Sequence, residues 1–135
     1  MAKVGTSRYY SKKQESYVAR LLGGKTVPGS GSVLFDNSDV KVPDISMCIE
    51  CKTKMKKSKS FSIQEQHLHD SEYERISQQY QHNALCFSFG EDEPNYFVLT
   101  ERDMKKFVEL LREESHKWRR LKHLLKKLKE KELLL

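Results

Sequence analysis

Long apolar runs are missing from these 135 residues. None approaches the roughly 20 consecutive apolar side chains that span a bilayer, and the opening MAKVGTSRYYSKK lacks the apolar core of a secretory leader. No membrane partner is expected, and the chain is expected to work in the cytoplasm. Cysteine is scarce: Cys48, Cys51 and Cys86 make an odd count in such a chain, which argues for reduced thiols. Cys48 and Cys51 have the CxxC spacing of a zinc site, but on a strand residues three apart point to opposite faces, and no second ligand pair follows. They read as small buried hydrophobes. Internal repeats are also absent.

What is present is charge. A chain 37% hydrophobic and 33% charged suits a soluble globular fold with a charged surface and one modest core. Net charge is +6, and residues 115–135 carry eight Lys or Arg against Glu130 and Glu132, which accounts for the whole excess. That imbalance points to a polyanion, with nucleic acid preferred to membrane because no lipidation signal occurs. We divide the chain into a domain over residues 1–114 and a basic amphipathic helical tail over 115–135.

Ser11-Lys-Lys-Gln14 resembles a capping box opening a helix whose apolar face is Tyr17, Val18, Leu21 and Leu22, stopped by Gly23-Gly24. A loop rich in Gly and Ser follows, with a short strand expected over residues 33–35. In SDVKVPDISMCIECKTK, Val40, Val42, Ile45, Met47 and Ile49 alternate with other types around the turn signal Pro43-Asp44, so residues 39–53 read as a hairpin. A basic connector comes next, then a helix from about residue 63 to 80 with Leu68, Tyr73, Ile76 and Tyr80 on the face toward the sheet. Two strands, 84–89 and 96–99, precede a last helix capped by Thr100. That helix carries Met104, Phe107, Leu111, Trp118, Leu121, Leu125 and Leu128 near heptad a and d positions.

Charges inside the hairpin pattern are costly unless paired or bound to a metal. With the turn centred on Asp44 and Ile45, cross-strand partners sum to 89, which sets Asp39 opposite Glu50, and Lys52 shares the face of Glu50. Asp44 is the rival first carboxylate, but on an extended strand it would stand about 20 Å from Glu50, too far for one ion. Two carboxylates about 5 Å apart favour a hard cation between them, Mg²⁺ or Mn²⁺. Such an ion can polarise a phosphodiester, with Lys52 orienting water, removing its proton or neutralising the phosphate. A cross-strand salt bridge on an exposed sheet is the plain structural alternative.

Asp39, Glu50, Cys51 and Lys52 at this spacing, after a helix bearing Glu15, resemble the PD-(D/E)XK nuclease superfamily. SKKQESYVARLLGG, the VPGSGS loop, SDVK, IECKTK and SFSI, together covering roughly residues 5–112, look most like its phage and archaeal Holliday-junction resolvases. Ser38 stands where such proteins often have Gly. The resemblance implies an α/β, restriction-endonuclease-like core in the order α-β-β-β-α-β, a mixed sheet flanked by helices, here with a C-terminal basic helix. It implies that Asp39 and Glu50 bind a divalent metal with the Cys51 carbonyl, that Glu15 supports the attacking water, and that Lys52 is catalytic. Ser30 and Ser32 match the loop serine that approaches the scissile phosphate. Gln64 or Gln66 matches a polar residue at the start of the helix after the sheet.

Lys54, Lys56, Lys57 and Lys59 follow the catalytic strand and are expected to contact DNA phosphates without reading sequence. The expected activity is a Mg²⁺-dependent endonuclease cutting branched DNA as a homodimer, because a four-way junction needs two symmetric incisions. Two alternatives stand beside it: an endonuclease for duplex, nicked or single-stranded DNA, and a nucleic-acid-binding module with an idle site.

Overall fold

The computed structural model describes residues 3–27 and 39–134. The chain separates into two compact units, Met1–Thr100 and Glu101–Leu135. In the first, helix α1 (Ser7–Leu22) precedes strands β1 (Lys25–Thr26), β2 (Val40–Val42) and β3 (Met47–Lys52). Helix α2 (Glu65–Ser77) then leads into β4 (His82–Ser88) and β5 (Asn95–Leu99). The second unit is helix α3 (Glu101–Leu134), which runs unbroken through residue 114. The expected loop serines Ser30 and Ser32, and the strand expected over residues 33–35, lie outside the described residues. Among the described residues no helix is long and apolar enough to cross a membrane.

The five strands form one mixed sheet in the order β1-β2-β3-β4-β5. Only β3 and β4 run parallel, as a crossover through α2 requires. The element order therefore begins α-β-β-β-α-β, with β5 added antiparallel at the edge. The β2–β3 register pairs Val40 with Ile49, Lys41 with Cys48 and Val42 with Met47, so partners sum to 89 as the sequence pattern implies. A 3-10 turn over Pro43–Ile45 makes the reversal, and Ser46 closes it in the left-handed region at φ 53°. Ile45 sits exposed in that turn.

Helix α1 starts earlier than the capping-box reading expects. Thr6 is its N-cap, the side chain accepting the Tyr9 N–H, and Gly23 ends it in the left-handed conformation at φ 70°. Gly24 then passes so close to β2 that a Cβ there would collide with the Lys41 carbonyl oxygen. This close passage lets the two-residue β1 pair with β2 (Lys25 with Lys41, Thr26 with Val40). The core is small and central: Val18 from α1, Val40 and Val42 from β2, Ile49 from β3, and Leu85 and Cys86 from β4 are at most 2% exposed.

Helix α2 packs on β3 and β4, but not through the expected face. Leu68, Tyr73 and Ile76 are exposed, while Ser71 and Glu74 are the buried positions. The sheet explains the inversion: Asn83, buried on β4, donates through Nδ2 to Ser71 Oγ at 2.9 Å. A polar residue buried on the sheet demands a polar partner, and this outweighs the apolar periodicity of the helix.

Candidate metal and nuclease site

The site is built where β2 begins and β3 ends. Asp39 immediately precedes β2, its N–H donating to the Ile49 carbonyl at 3.0 Å, so its main chain already follows β3. One step outward from the Val40–Ile49 pair, the register sets Asp39 against Glu50. The Asp39 side chain is tied down as well, Oδ2 accepting the Cys51 N–H at 2.7 Å. On β3, Lys52 Nζ lies 2.9 Å from Glu50 Oε1. Glu50 also walls a cleft of about 260 Å³ between β3 and α2, shared with Asp70, Ser71 and Glu74.

Two titrations show how tightly these groups couple. Burial, and after it the charge of Asp39, raises the Glu15 carboxyl to a pKa of about 7, against a smaller opposing pull from Lys12. Burial alone would lower the Lys52 pKa. The hydrogen bond to Glu50 and the charges of Glu50 and Asp39 together outweigh it, so Lys52 stays protonated above its ordinary value. Asp39 is thus electrostatically linked to both Glu15 and Lys52.

Glu15 itself is half-buried at the edge of the α1 interface, and its neighbour Gln14 is buried, one turn before the fully buried Val18. The sequence pattern offers Gln14 only as the closing residue of a capping box; its i,i+4 spacing to Val18 is the signal for an inward position. Its Nε2 donates to the Lys52 carbonyl at 2.8 Å and to Asn95 Oδ1 at 3.0 Å, fixing the end of β3 against α1 and β5. Asp44 lies exposed in the 3-10 turn at the other end of β3 from Lys52, in the first turn of that short helix.

Among the described residues, no three His, Cys, Asp or Glu side chains form a group able to hold a metal. The available donor set is two carboxylates, Asp39 and Glu50, with the Cys51 carbonyl. That set suits Mg²⁺, which usually keeps several waters and takes one or two carboxylates from the protein. The chemistry of the neighbourhood agrees, because the negative charge of Asp39 already lifts the Glu15 pKa and a cation would relieve it. The three cysteines are buried and free.

The connector after β3 divides in two. Lys57 pairs with Glu93 at 3.0 Å, and the Ser58 N–H donates to the Phe89 carbonyl at 2.8 Å, which anchors the segment to the end of β4. Lys54 Nζ lies 5.4 Å from the centroid of the Phe61 ring, while Lys56 and Lys59 are exposed. Gln64 is the N-cap residue of α2 without a side-chain cap, and Gln66 bonds Asp70 within the helix. His69 pairs with Glu65 on the exposed side of α2, and Tyr9 and Tyr10 pack edge to face on each other.

Comparison of the chain with models of protein families, with curated proteins and with solved structures finds no match in any of the three.

Proposed function

We propose that this chain is a metal-dependent DNA endonuclease of the PD-(D/E)XK type, resembling Holliday-junction resolvases and cutting branched DNA as a homodimer in the cytoplasm. The observation that carries the reading is the β2–β3 register, which aligns Asp39 with Glu50 while Lys52 bonds Glu50 on the same strand. The order α-β-β-β-α-β of the first six elements supports the same family.

In this reading Asp39, Glu50 and the Cys51 carbonyl hold Mg²⁺ or Mn²⁺. Such an ion polarises a phosphodiester and offsets negative charge in the transition state. Lys52 stays an ammonium at neutral pH, so its role is to neutralise charge gathering on the phosphate rather than to remove a proton. Glu15 is the group suited to accept a proton from the attacking water, because a cation at Asp39 would offset the negative charge that helps hold its carboxyl protonated. Gln14 positions the Lys52 main chain. Ser30 and Ser32 match the loop serine that the resemblance assigns to the scissile phosphate, and Lys54, Lys56 and Lys59 contact neighbouring phosphates. Lys57 contributes less, since Glu93 already balances its charge.

A synthetic four-way junction and a linear duplex of the same sequence, each incubated with the protein and Mg²⁺, test the reading. Paired symmetric nicks confined to the junction are expected, together with their loss in Lys52→Ala. Equal cutting of both substrates would move the activity to general duplex cleavage. No cutting of any DNA, or full activity of Lys52→Ala, would leave only a binding module.

A further inference from the structure

We propose that the aromatic run Phe61, Phe87 and Tyr96, in line with Lys52 across the sheet, is a platform on which an unpaired base of the DNA stacks. The inference rests on the nuclease reading and names a feature of its substrate.

Strand pairing sets the line. Lys52 on β3 pairs with Phe87 on β4, and Phe87 pairs with Tyr96 on β5. Paired residues on adjacent strands share a face, and two strand spacings put Tyr96 about 10 Å from Lys52. Phe87 stacks on Phe61 at 5.0 Å and 26° between planes, and on Tyr96 at 5.6 Å and 25°. Phe89 closes the group edge-on against both Phe87 and Tyr96. Near-parallel rings at this spacing are the arrangement that extends naturally to another flat ring.

Exposure and charge distinguish this group from a satellite of the core. Phe61, Phe87 and Phe89 are half-buried, and Tyr96 on edge strand β5 is 49% exposed, so the run ends at solvent. On the connector side the charge is positive, while Glu91, Asp92 and Glu93 of the β4–β5 loop are each paired with Lys13 or Lys57. Lys54 covers the Phe61 ring, and Lys54, Lys56 and Lys59 have no acidic partner among the described residues. Aromatic faces rimmed by unbalanced cations match a ligand that is flat and anionic together, which describes a nucleotide and not an apolar peptide. In a paired duplex the base faces are already covered, so the platform selects a base freed at a branch, nick or single strand. It discriminates substrates without reading sequence, because every base offers such a face.

The test uses the full chain without divalent metal and oligonucleotides carrying 2-aminopurine, whose fluorescence falls when it stacks. One probe sits unpaired beside a branch and the other is paired within duplex. Quenching is expected for the unpaired probe alone. Tyr96→Leu should abolish it and weaken binding of that substrate by about 5- to 100-fold, the range for loss of one base–aromatic stack. Tyr96→Phe should keep both, and thermal melts of the two variants verify that each folds. Lys52→Ala should lose cleavage under Mg²⁺ yet retain the quench, so that the platform and the nuclease reading fail separately. Unchanged quenching and affinity in a folded Tyr96→Leu would overturn the platform. So would loss of self-association in that variant with DNA affinity intact, which would assign the rings to a second copy of the chain.

Discussion

The Asp39 carboxylate accepts the Cys51 N–H at 2.7 Å, which adds a side-chain tie between the entrance of β2 and the exit of β3 to the main-chain bond from Asp39 to Ile49. The bond is charge-assisted and holds one proposed metal ligand against the residue whose carbonyl is another. Asp39→Asn keeps an acceptor oxygen and is expected to cost about 1 kcal/mol or less in urea unfolding. Cleavage should nonetheless fall at least about 100-fold, the scale for removing one preorganised electrostatic partner. Asp39→Ala should be less stable by about 1.5–3 kcal/mol, since a bond to a charged group disappears. Asn and Ala variants of equal stability would show that the Cys51 bond holds nothing in place.

Glu15 gives a pH signature. Its folded pKa of about 7 lies above the ordinary carboxyl value of about 4.3. Between those limits the folded state keeps a proton that the unfolded chain has released. Stability must therefore decline as pH rises through that window, with the full cost present above pH 7. Glu15→Gln removes the cost. It is expected to unfold at higher denaturant at pH 8, by about 1–2 kcal/mol after discounting for solvent screening of a half-buried group, and to match the parent at pH 4. Cleavage by the variant should drop and lose its rise near neutrality. A parent more stable at pH 8 than at pH 5, with Glu15→Gln flat between them, would reverse the assigned sign.

Gly24 is expected to be intolerant for a reason confined to the backbone. A Cβ there would stand 2.9 Å from Val42 Cγ2 and closer still to the Lys41 carbonyl oxygen. Main chain in a paired strand cannot yield as a flexible side chain would. Gly24→Ala should lower stability by about 1–3 kcal/mol, read from the denaturation midpoint. It should also reduce cleavage, since displacing β2 displaces Asp39. Wild-type stability in this variant would mean that β1 does not approach β2 so closely in solution.

Truncation within α3 tests what its distal half does. Its basic residues are exposed, as are Trp118, Leu121, Leu125 and Leu128. Truncation after Glu114 should leave the unfolding of the first unit unchanged. DNA binding should weaken, and its dependence on salt should become shallower by about 0.9 in log–log slope for each phosphate that the tail no longer neutralises. An unaltered slope would assign the tail to a protein partner instead.

The β2–β3 hairpin was legible because its two faces differ: Val40, Val42, Met47 and Ile49 alternate, Pro43-Asp44 marks the turn, and the pairing sum of 89 follows. Asp39, Glu50 and Lys52 could be aligned from that alone. Helix α2 misled because Ser71 and Glu74 are buried against a polar position of β4, a demand set by Asn83 from another segment. Helix α1 hid an inward polar position: Gln14 is buried because it can bond the Lys52 carbonyl and Asn95, which periodicity does not express. The short β1, with exposed Lys25 and Thr26, carries no apolar pattern and exists through the close passage at Gly24. The ring run beside Lys52 draws on three segments whose meeting only the sheet order reveals.

The paired thiols of Cys51 and Cys86 bear on how the protein can be handled. They are register partners on β3 and β4; their mutual hydrogen bond, together with burial, keeps Cys51 protonated far above the usual thiol range. Cys48 and Cys86 are buried as well, so none of the three thiols lies open to reagents. The folded chain should take up almost no maleimide in an hour at pH 7, and all three sites should react in denaturant. A single cysteine introduced at exposed Ser115 could then carry a fluorophore alone, giving a reporter of DNA engagement on an otherwise unaltered native sequence.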